Sequence, residues 1–384
     1  MRALEFYSGV GGMHFALSRV NLDITLARAF DWDQTACKVY SANHGPGVVE
    51  RLDIASLTVE KLDSYDANIW LLSPACQPYT VLNPNAKGAE DPRAQSYLYL
   101  LQTVLPGLAR MPSSDGSGRH PGFILVENVA GFEGSTTRQI QLNVLKELGY
   151  YVMELLLTPL QFGIPNSRLR YYLLAKKTPF QPSVDGELGV PGGIWRHIPG
   201  RPAEWREDNV DEIRSYLDER PVPSANRVPE KVLVKWGRLF DIVKPSSRRS
   251  CCFTRGYTHL VERSGSILQE AEELDVRAFL SVSNFVYGTN IHCYTQTTET
   301  FDEFLDAQKQ EVSSCAASLE ILAPLRLRYF SPSELLRIFA FEKKDTNDKF
   351  VWPEDVSNKS KYKLIGNSVN VRVVEELIRY LLSN

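Results

Sequence analysis

The strongest constraint in this sequence is the alternation that fills its first 176 residues. Short apolar runs stand at 2–7 (RALEFY), 24–30 (ITLARAF), 47–52, 67–72 (ANIWLL), 122–126 (GFILV), 150–157 and 170–175. Stretches with helical spacing at 12–20, 34–43, 96–109 and 136–148 separate them. Strands that alternate with helices are joined by crossovers, and crossovers build a parallel sheet covered on both faces. The expected fold is therefore α/β, a doubly wound, mostly parallel sheet. In such a sheet ligands gather beyond the carboxyl ends of the strands, so the residues there are the first candidates for function.

After Lys177 the pattern changes. Residues 178–230 are rich in Pro and Gly, 231–320 stay irregular, and 295–314 is polar; this reads as a linker or a loop-rich second domain. MPSSDGSGRH (111–120) reads as a surface loop. SPSELLRIFAF (331–341) then opens a helix, with Ser331 as cap, Pro332 in the first turn and Glu334 completing a capping box. A last amphipathic helix is expected over 371–382.

Composition narrows the class. With 43% hydrophobic and 23% charged residues in 384, the chain suits two domains, or one with an insertion. No apolar run is long enough to cross a bilayer, and the opening MRALEFY reads as a strand, not as a secretion signal. None of the six cysteines stands in a CxxC pair, and no His/Cys spacing suggests zinc. We therefore expect free thiols in a reducing compartment, the cytoplasm or the nucleus, with neither metal nor membrane as partner. A net charge of −3 excludes a globally basic nucleic-acid binder. Residues 226–255 are locally basic, however. Arg227, Lys231, Lys235, Arg238, Lys244, Arg248, Arg249 and Arg255 face only Glu230 and Asp241, a net of +6. The ordinary reading of such a run is a solvated face; it gains meaning beside a nucleic-acid site.

The strand ends carry the candidates. The first ends in FYSGVGGM (6–13), where Gly9, Gly11 and Gly12 permit a tight turn close to a ligand. The dinucleotide pattern GxGxxG needs glycine at 14, where His14 stands, so a cofactor without a pyrophosphate fits better. The second ends in FDWD (30–33): Asp31 sits where an acid binds ribose hydroxyls, and Trp32 offers a flat face to adenine. The third ends near Asp53 and Ile54, a polar group beside an apolar wall. Each feature has a structural explanation too, as a tight turn, a helix cap or a core aromatic. Together they describe an adenosine pocket with no phosphate cradle, which suits S-adenosyl-L-methionine.

The fourth strand delivers Cys76 in SPACQPYT (73–80), the fifth Glu127 in GFILVENV (122–129), and the seventh Arg168 and Arg170, alternating onto one face in NSRLRYY (166–172). A buried thiol, a paired carboxylate and a salt-bridged edge are the plain alternatives. Combined with a methyl donor, these groups suit one reaction. Carbon 5 of cytosine is a poor nucleophile until a thiolate adds at carbon 6; a carboxyl at ring nitrogen 3 and an arginine at the ring carbonyl stabilise the charge that develops. The base has to leave its stack to be reached, and residues 74–95 have the Gly/Pro content of a lid.

The motifs FYSGVGGM, DW, SPACQPYT, ENV, SRLRY and IGNSVN (365–370) occur in the order found in the cytosine-5 methyltransferases, and the sequence resembles that family from end to end. The resemblance implies a class I, Rossmann-like methyltransferase fold. It implies that Cys76 is the nucleophile, that Glu127 contacts the base edge, and that Arg168 and Arg170 support base and thiolate. Phe6, Ser8, Val10, Gly11, Gly12, Asp31, Trp32, Asp53, Ile54, Asn367 and Ser368 would line the cofactor pocket, with Ser73 close by. It divides the chain into a catalytic domain (1–180), a target-recognition domain (185–325) and a segment returning to the catalytic domain (326–384).

CFTRGY (252–257) is similar to a signature of the branch that modifies the anticodon loop of aspartate tRNA, as are SRLRYYLLAK, DIVKPSSRRS and LRYFSPSELL. We expect no long regulatory segment before the first strand, as in that branch. On this reading Lys244, Arg248, Arg249, Cys252, Phe253, Thr254, Arg255 and Tyr257 contact tRNA. DNA is the alternative substrate, and tRNA binding with little or no catalysis is the alternative function. One departure stands out: where the family has a second proline before the nucleophile, this chain has Ala75, which frees the backbone there. For Cys251 and Cys252 we expect one packing and one surface role.

Overall fold

The computed structural model describes residues 1–79, 87–113, 116, 118–180, 193–202, 206–219, 226–260, 264–272, 323–343 and 349–383. Eight strands form the main sheet: β1 (Arg2–Phe6), β2 (Thr25–Asp31), β3 (Val49–Arg51), β4 (Ile69–Leu72), β5 (Phe123–Val129), β6 (Tyr151–Leu157), β7 (Arg170–Lys176) and β8 (Ile194–Trp195). Their order is β3-β2-β1-β4-β5-β7-β6-β8, and only β7 runs antiparallel to its neighbours. The expected mostly parallel, doubly wound sheet is what forms. Its strands read as apolar runs because both faces are covered. Along β4, Leu71 enters one core cluster, while Trp70 and Leu72 enter the other.

The chain winds from β1 to β3 on one side, then returns to place β4 beside β1. That switch opens a crevice between the ends of β1 and β4, and the Gly-rich turn and residues 73–79 follow those strand ends. The helix Val371–Leu382 packs against the helix Gly12–Ser18 and over β5 and β7. It buries Val371, Val374, Leu377, Ile378 and Leu381, and Asn370 caps it by accepting from the amides of Arg372 and Val373. The Ser331–Glu334 capping box forms as expected.

Three details differ from expectation. The helix expected over 96–109 widens into a π-turn at Leu100–Val104, because Pro106 has no amide to continue the regular ladder. β5 runs on through Glu127 to Val129, so this carboxyl belongs to the strand itself. β7 starts only at Arg170, so Arg168 precedes the strand, although both guanidinium groups reach the Cys252 thiol. The stretches 80–86, 273–322 and most of 111–120's centre lie outside the described residues.

A smaller sheet joins β9 (Ile242–Val243), β10 (Ile267–Gln269) and β11 (Leu327–Arg328) in the order β11-β10-β9. β11 thus belongs to this sheet although it lies in 326–384, and β8 joins the main sheet although it lies in 185–325.

Glu5 sits in β1 beneath the Gly-rich turn, 1% exposed, and accepts a hydrogen bond from the Tyr40 hydroxyl at 2.9 Å. Burial raises its pKa from 4.5 to about 8. The folded state therefore holds a proton that the unfolded state releases, and stability falls as pH rises across that interval. Glu5→Gln is expected to flatten the decline of melting temperature between about pH 5 and 8; a variant profile parallel to the parent's would contradict this.

Candidate active site

The Gly-rich turn is built on two left-handed glycines, Gly9 (φ 54°) and Gly11 (φ 87°). The Asp31 carboxylate holds it, accepting from the amides of Gly9 and Asp33 at 2.8 Å each. A side chain on Gly11 would overlap His44, whereas one on Gly9 would meet nothing within 4 Å. The turn is therefore packed below and open above. Ser8 is 5% exposed, and its Oγ is buried without a partner. Trp32 is 74% exposed beside it. An unsatisfied hydroxyl, an open backbone cradle and a bare indole face fit an adenosine-type ligand. Phe6, Val10 and Ile54 have their side chains in the core, so they can offer main chain or an inner wall. Asp53 caps the short turn after β3 by accepting from the Ala55 amide. Ser73 donates to the Tyr7 carbonyl, Ser368 to the Leu364 carbonyl, and Asn367 is exposed.

Tyr7 was not singled out by its motif. It takes a left-handed conformation (φ 57°), unusual for an aromatic residue, and its hydroxyl meets Ser96 Oγ at 3.0 Å. Strain of this kind clusters at ligand sites. The only signal in sequence is its place inside FYSGVGG.

Cys76 lies in the turn beyond β4. The Asn128 side chain donates to the Pro74 carbonyl at 3.2 Å, and so pins the turn to β5 next to Glu127. Burial raises the Cys76 pKa, and Glu127 adds to that; Arg170, Arg168 and Arg255 pull it down. Glu127 is 8% exposed, and Arg170 Nε lies 3.4 Å from its carboxylate. Burial raises the Glu127 pKa, against the pull of Arg170 and Arg168.

The two arginines do different work. Arg170 reaches Glu127 and Cys252. Arg168, 3% exposed, donates to the carbonyls of Phe253 (2.8 Å), Gly366 (3.1 Å) and Ser368 (2.8 Å) and lies over the Phe339 ring. It ties CFTRGY and IGNSVN to the catalytic sheet. Cys252 is corrected too: its thiol sits between both guanidinium groups, 3.4 Å from Arg168 and 3.6 Å from Arg170. Burial alone would raise its pKa, but the two cations outweigh burial and lower it.

The expected RNA face is smaller than the sequence suggested. Phe253 and Tyr257 are 0% and 1% exposed and pack ring against ring, with the Tyr257 hydroxyl bonded to Ser266 and Phe330 backbone. They form the core of the small sheet and cannot reach a substrate. Arg248 is engaged by Glu212 and the Val210 carbonyl, Arg249 by Asp241, and Lys244 by the Glu272 carbonyl. Arg255 is exposed, and Thr254 is half-buried. A methyl group on Gly366 would overlap the Thr254–Arg255 backbone. Gly366→Ala is expected to cost about 1–3 kcal/mol of stability through that overlap; an unchanged denaturant midpoint would contradict it.

A mostly parallel sheet with a Gly-rich turn, an acid and an open cradle at its switch point is the frame of a Rossmann-like cofactor-binding enzyme. The comparisons are more specific. A family model for C-5 cytosine-specific DNA methylase matches residues 1–383. A Schizosaccharomyces pombe protein named tRNA (cytosine(38)-C(5))-methyltransferase is 36% identical over 383 residues, covering 100% of this chain and 97% of its own. A Dictyostelium discoideum protein named DNA (cytosine-5)-methyltransferase is 32% identical over 413 residues, covering 100% and 94%. The crystal structure of S. pombe Dnmt2 methyltransferase superposes with a TM-score of 0.71 at 34% identity, covering 100% and 98%. This chain belongs to the C-5 cytosine methyltransferase family. Among the described residues no group of side chains is arranged to hold a metal, and no helix is long and apolar enough to cross a membrane.

Proposed function

We propose that this protein transfers the methyl group of S-adenosyl-L-methionine to carbon 5 of a cytosine in the anticodon loop of tRNA, with aspartate tRNA as substrate, through a covalent adduct at Cys76. The observation that carries the reading is the convergence of Cys76, Glu127 and Arg170 beside an open Gly-rich cradle. Support for tRNA comes from the relative that carries that name over the whole chain.

Ser8, the backbone of Gly9 to Gly12, Asp31, Trp32, Asp53 and Ile54 would hold the cofactor, with Asn367 and Ser368 closing the pocket. When bound, S-adenosylmethionine supplies an electrophilic methyl carbon. The Cys76 thiolate adds to carbon 6 of the cytosine and makes carbon 5 nucleophilic. Glu127 donates its proton toward ring nitrogen 3 and accepts from the exocyclic amine, where addition builds charge. Arg170 holds the ring carbonyl and favours the thiolate. Loss of the carbon-5 proton expels Cys76 and restores the ring. Residues 185–325 would select the target, Arg255 would face the RNA, and free thiols suit the cytoplasm or nucleus.

The test is bisulfite sequencing of tRNA incubated with the protein and cofactor. We expect one protected cytosine, in the anticodon loop; a protected cytosine elsewhere, or none, would overturn the assignment. The Dictyostelium relative's name favours DNA as a second reading. Labelled-methyl transfer to duplex DNA instead of tRNA would establish it.

A further inference from the structure

The turn that carries Cys76 has Ala75, not a second proline, after Pro74, and the structure holds it from its far end. The Tyr79 amide donates to the Cys76 carbonyl at 3.0 Å and closes the turn. The Tyr79 side chain is 7% exposed, stacks edge-on against Phe132 with centroids 4.8 Å apart, and donates its hydroxyl to Thr137 Oγ1 at 3.1 Å. Thr137 is fully buried in the first turn of the helix Thr136–Glu147. Its neighbour Thr136 accepts from the Ala89 amide at 3.3 Å, and the Gly88 amide donates to the Pro78 carbonyl at 3.3 Å. Two adjacent threonines on one helix thus hold the chain at Tyr79 and at Ala89, both on the C-terminal side of the thiol.

We propose that Tyr79 and Thr137 are positioning residues for the Cys76 thiol, and that their hydrogen bond supplies the rigidity that a proline at position 75 would otherwise give. A phenylalanine at 79 would keep the ring packing and lose only the hydroxyl. Among the described residues the Ala75 amide donates no hydrogen bond, so a proline there removes none. The two devices act on either side of Cys76, one at the residue before it and one at the end of the 76–79 turn, so they should substitute for each other. The catalytic half of this inference rests on Cys76 as the nucleophile in the proposed function; the mechanical half does not.

The experiment measures two rates in the parent, Tyr79→Phe, Thr137→Val and the Ala75→Pro/Tyr79→Phe double variant. The first is alkylation of Cys76 by iodoacetamide, read by mass spectrometry of its peptide. The second is single-turnover methyl transfer to tRNA. Each single variant should speed alkylation about fivefold, as expected when one ordinary hydrogen bond is removed. Each should slow methyl transfer roughly tenfold through misplacement of the thiol, with KM for tRNA within about twofold of the parent. Adding Ala75→Pro should return both rates to within about twofold of the parent. Alkylation unchanged in both single variants, or a change that Ala75→Pro does not reverse, would overturn the proposal. A parent that transfers no methyl group would defeat the functional reading alone, since alkylation still judges the anchor. Melting temperatures of all four proteins separate loosening of the turn from unfolding.

Discussion

Cys76→Ser is expected to lower single-turnover methyl transfer by a factor on the order of 10³ or more, with tRNA affinity little changed. A hydroxyl in the same turn keeps the size and the anchors of the thiol, but not its nucleophilicity. The environment sharpens the expectation. Burial works against thiolate formation at Cys76, and the guanidinium groups of Arg170, Arg168 and Arg255 oppose that effect. Sulfur ionises within reach of these cations, whereas an alcohol does not. Transfer within about tenfold of the parent would mean that another group attacks the base. Cys252 would be the first suspect, since its thiol lies against both active-site arginines.

The second large effect separates the arginines. Arg168→Met leaves the carbonyls of Phe253, Gly366 and Ser368 without their buried donor. We expect a loss of about 3 kcal/mol or more in unfolding free energy, and with it a lower denaturant midpoint. Arg170→Met should cost less stability than Arg168→Met, because Arg170 reaches the Glu127 carboxyl and the Cys252 thiol, whereas Arg168 is the buried donor to three main-chain carbonyls. Its cost should appear in catalysis, as a fall of roughly 10²-fold or more in single-turnover rate. Equal stability losses in the two variants would contradict the division of roles.

Much of this organisation was legible in the sequence. The parallel strands announce themselves as apolar runs, and the α/β pattern puts Cys76 and Glu127 at the ends of successive strands; the pairing of those strands is a finding of the structure. What stayed hidden depended on partners far along the chain. Arg168 looked like a second base contact, but its acceptors lie 85, 198 and 200 residues away, and nothing local distinguishes it from Arg170. The basic window 226–255 looks opposed only by Glu230 and Asp241 because Glu212 and Glu272, which engage Arg248 and the 244–246 turn, lie outside it. Phe253 and Tyr257 carried a signature that invites a substrate role. Their burial shows that a motif can be distinctive because it builds the core beneath a site. Tyr7 and Asn128 are hidden for another reason: each stands beside a more conspicuous residue, and its partners, Ser96 and Pro74, are distant in sequence.

The most direct measurement of the central claim uses tRNA carrying 5-fluorocytosine, whose fluorine cannot be lost as a proton is, so that an adduct formed on carbon 6 persists. The RNA is incubated with protein and S-adenosylmethionine, and the denatured mixture is digested and read by mass spectrometry. The account predicts a cofactor-dependent covalent complex whose RNA mass maps to the peptide containing Cys76. A complex mapped to Cys252, or efficient methyl transfer to unmodified tRNA with no trapped complex, would contradict it.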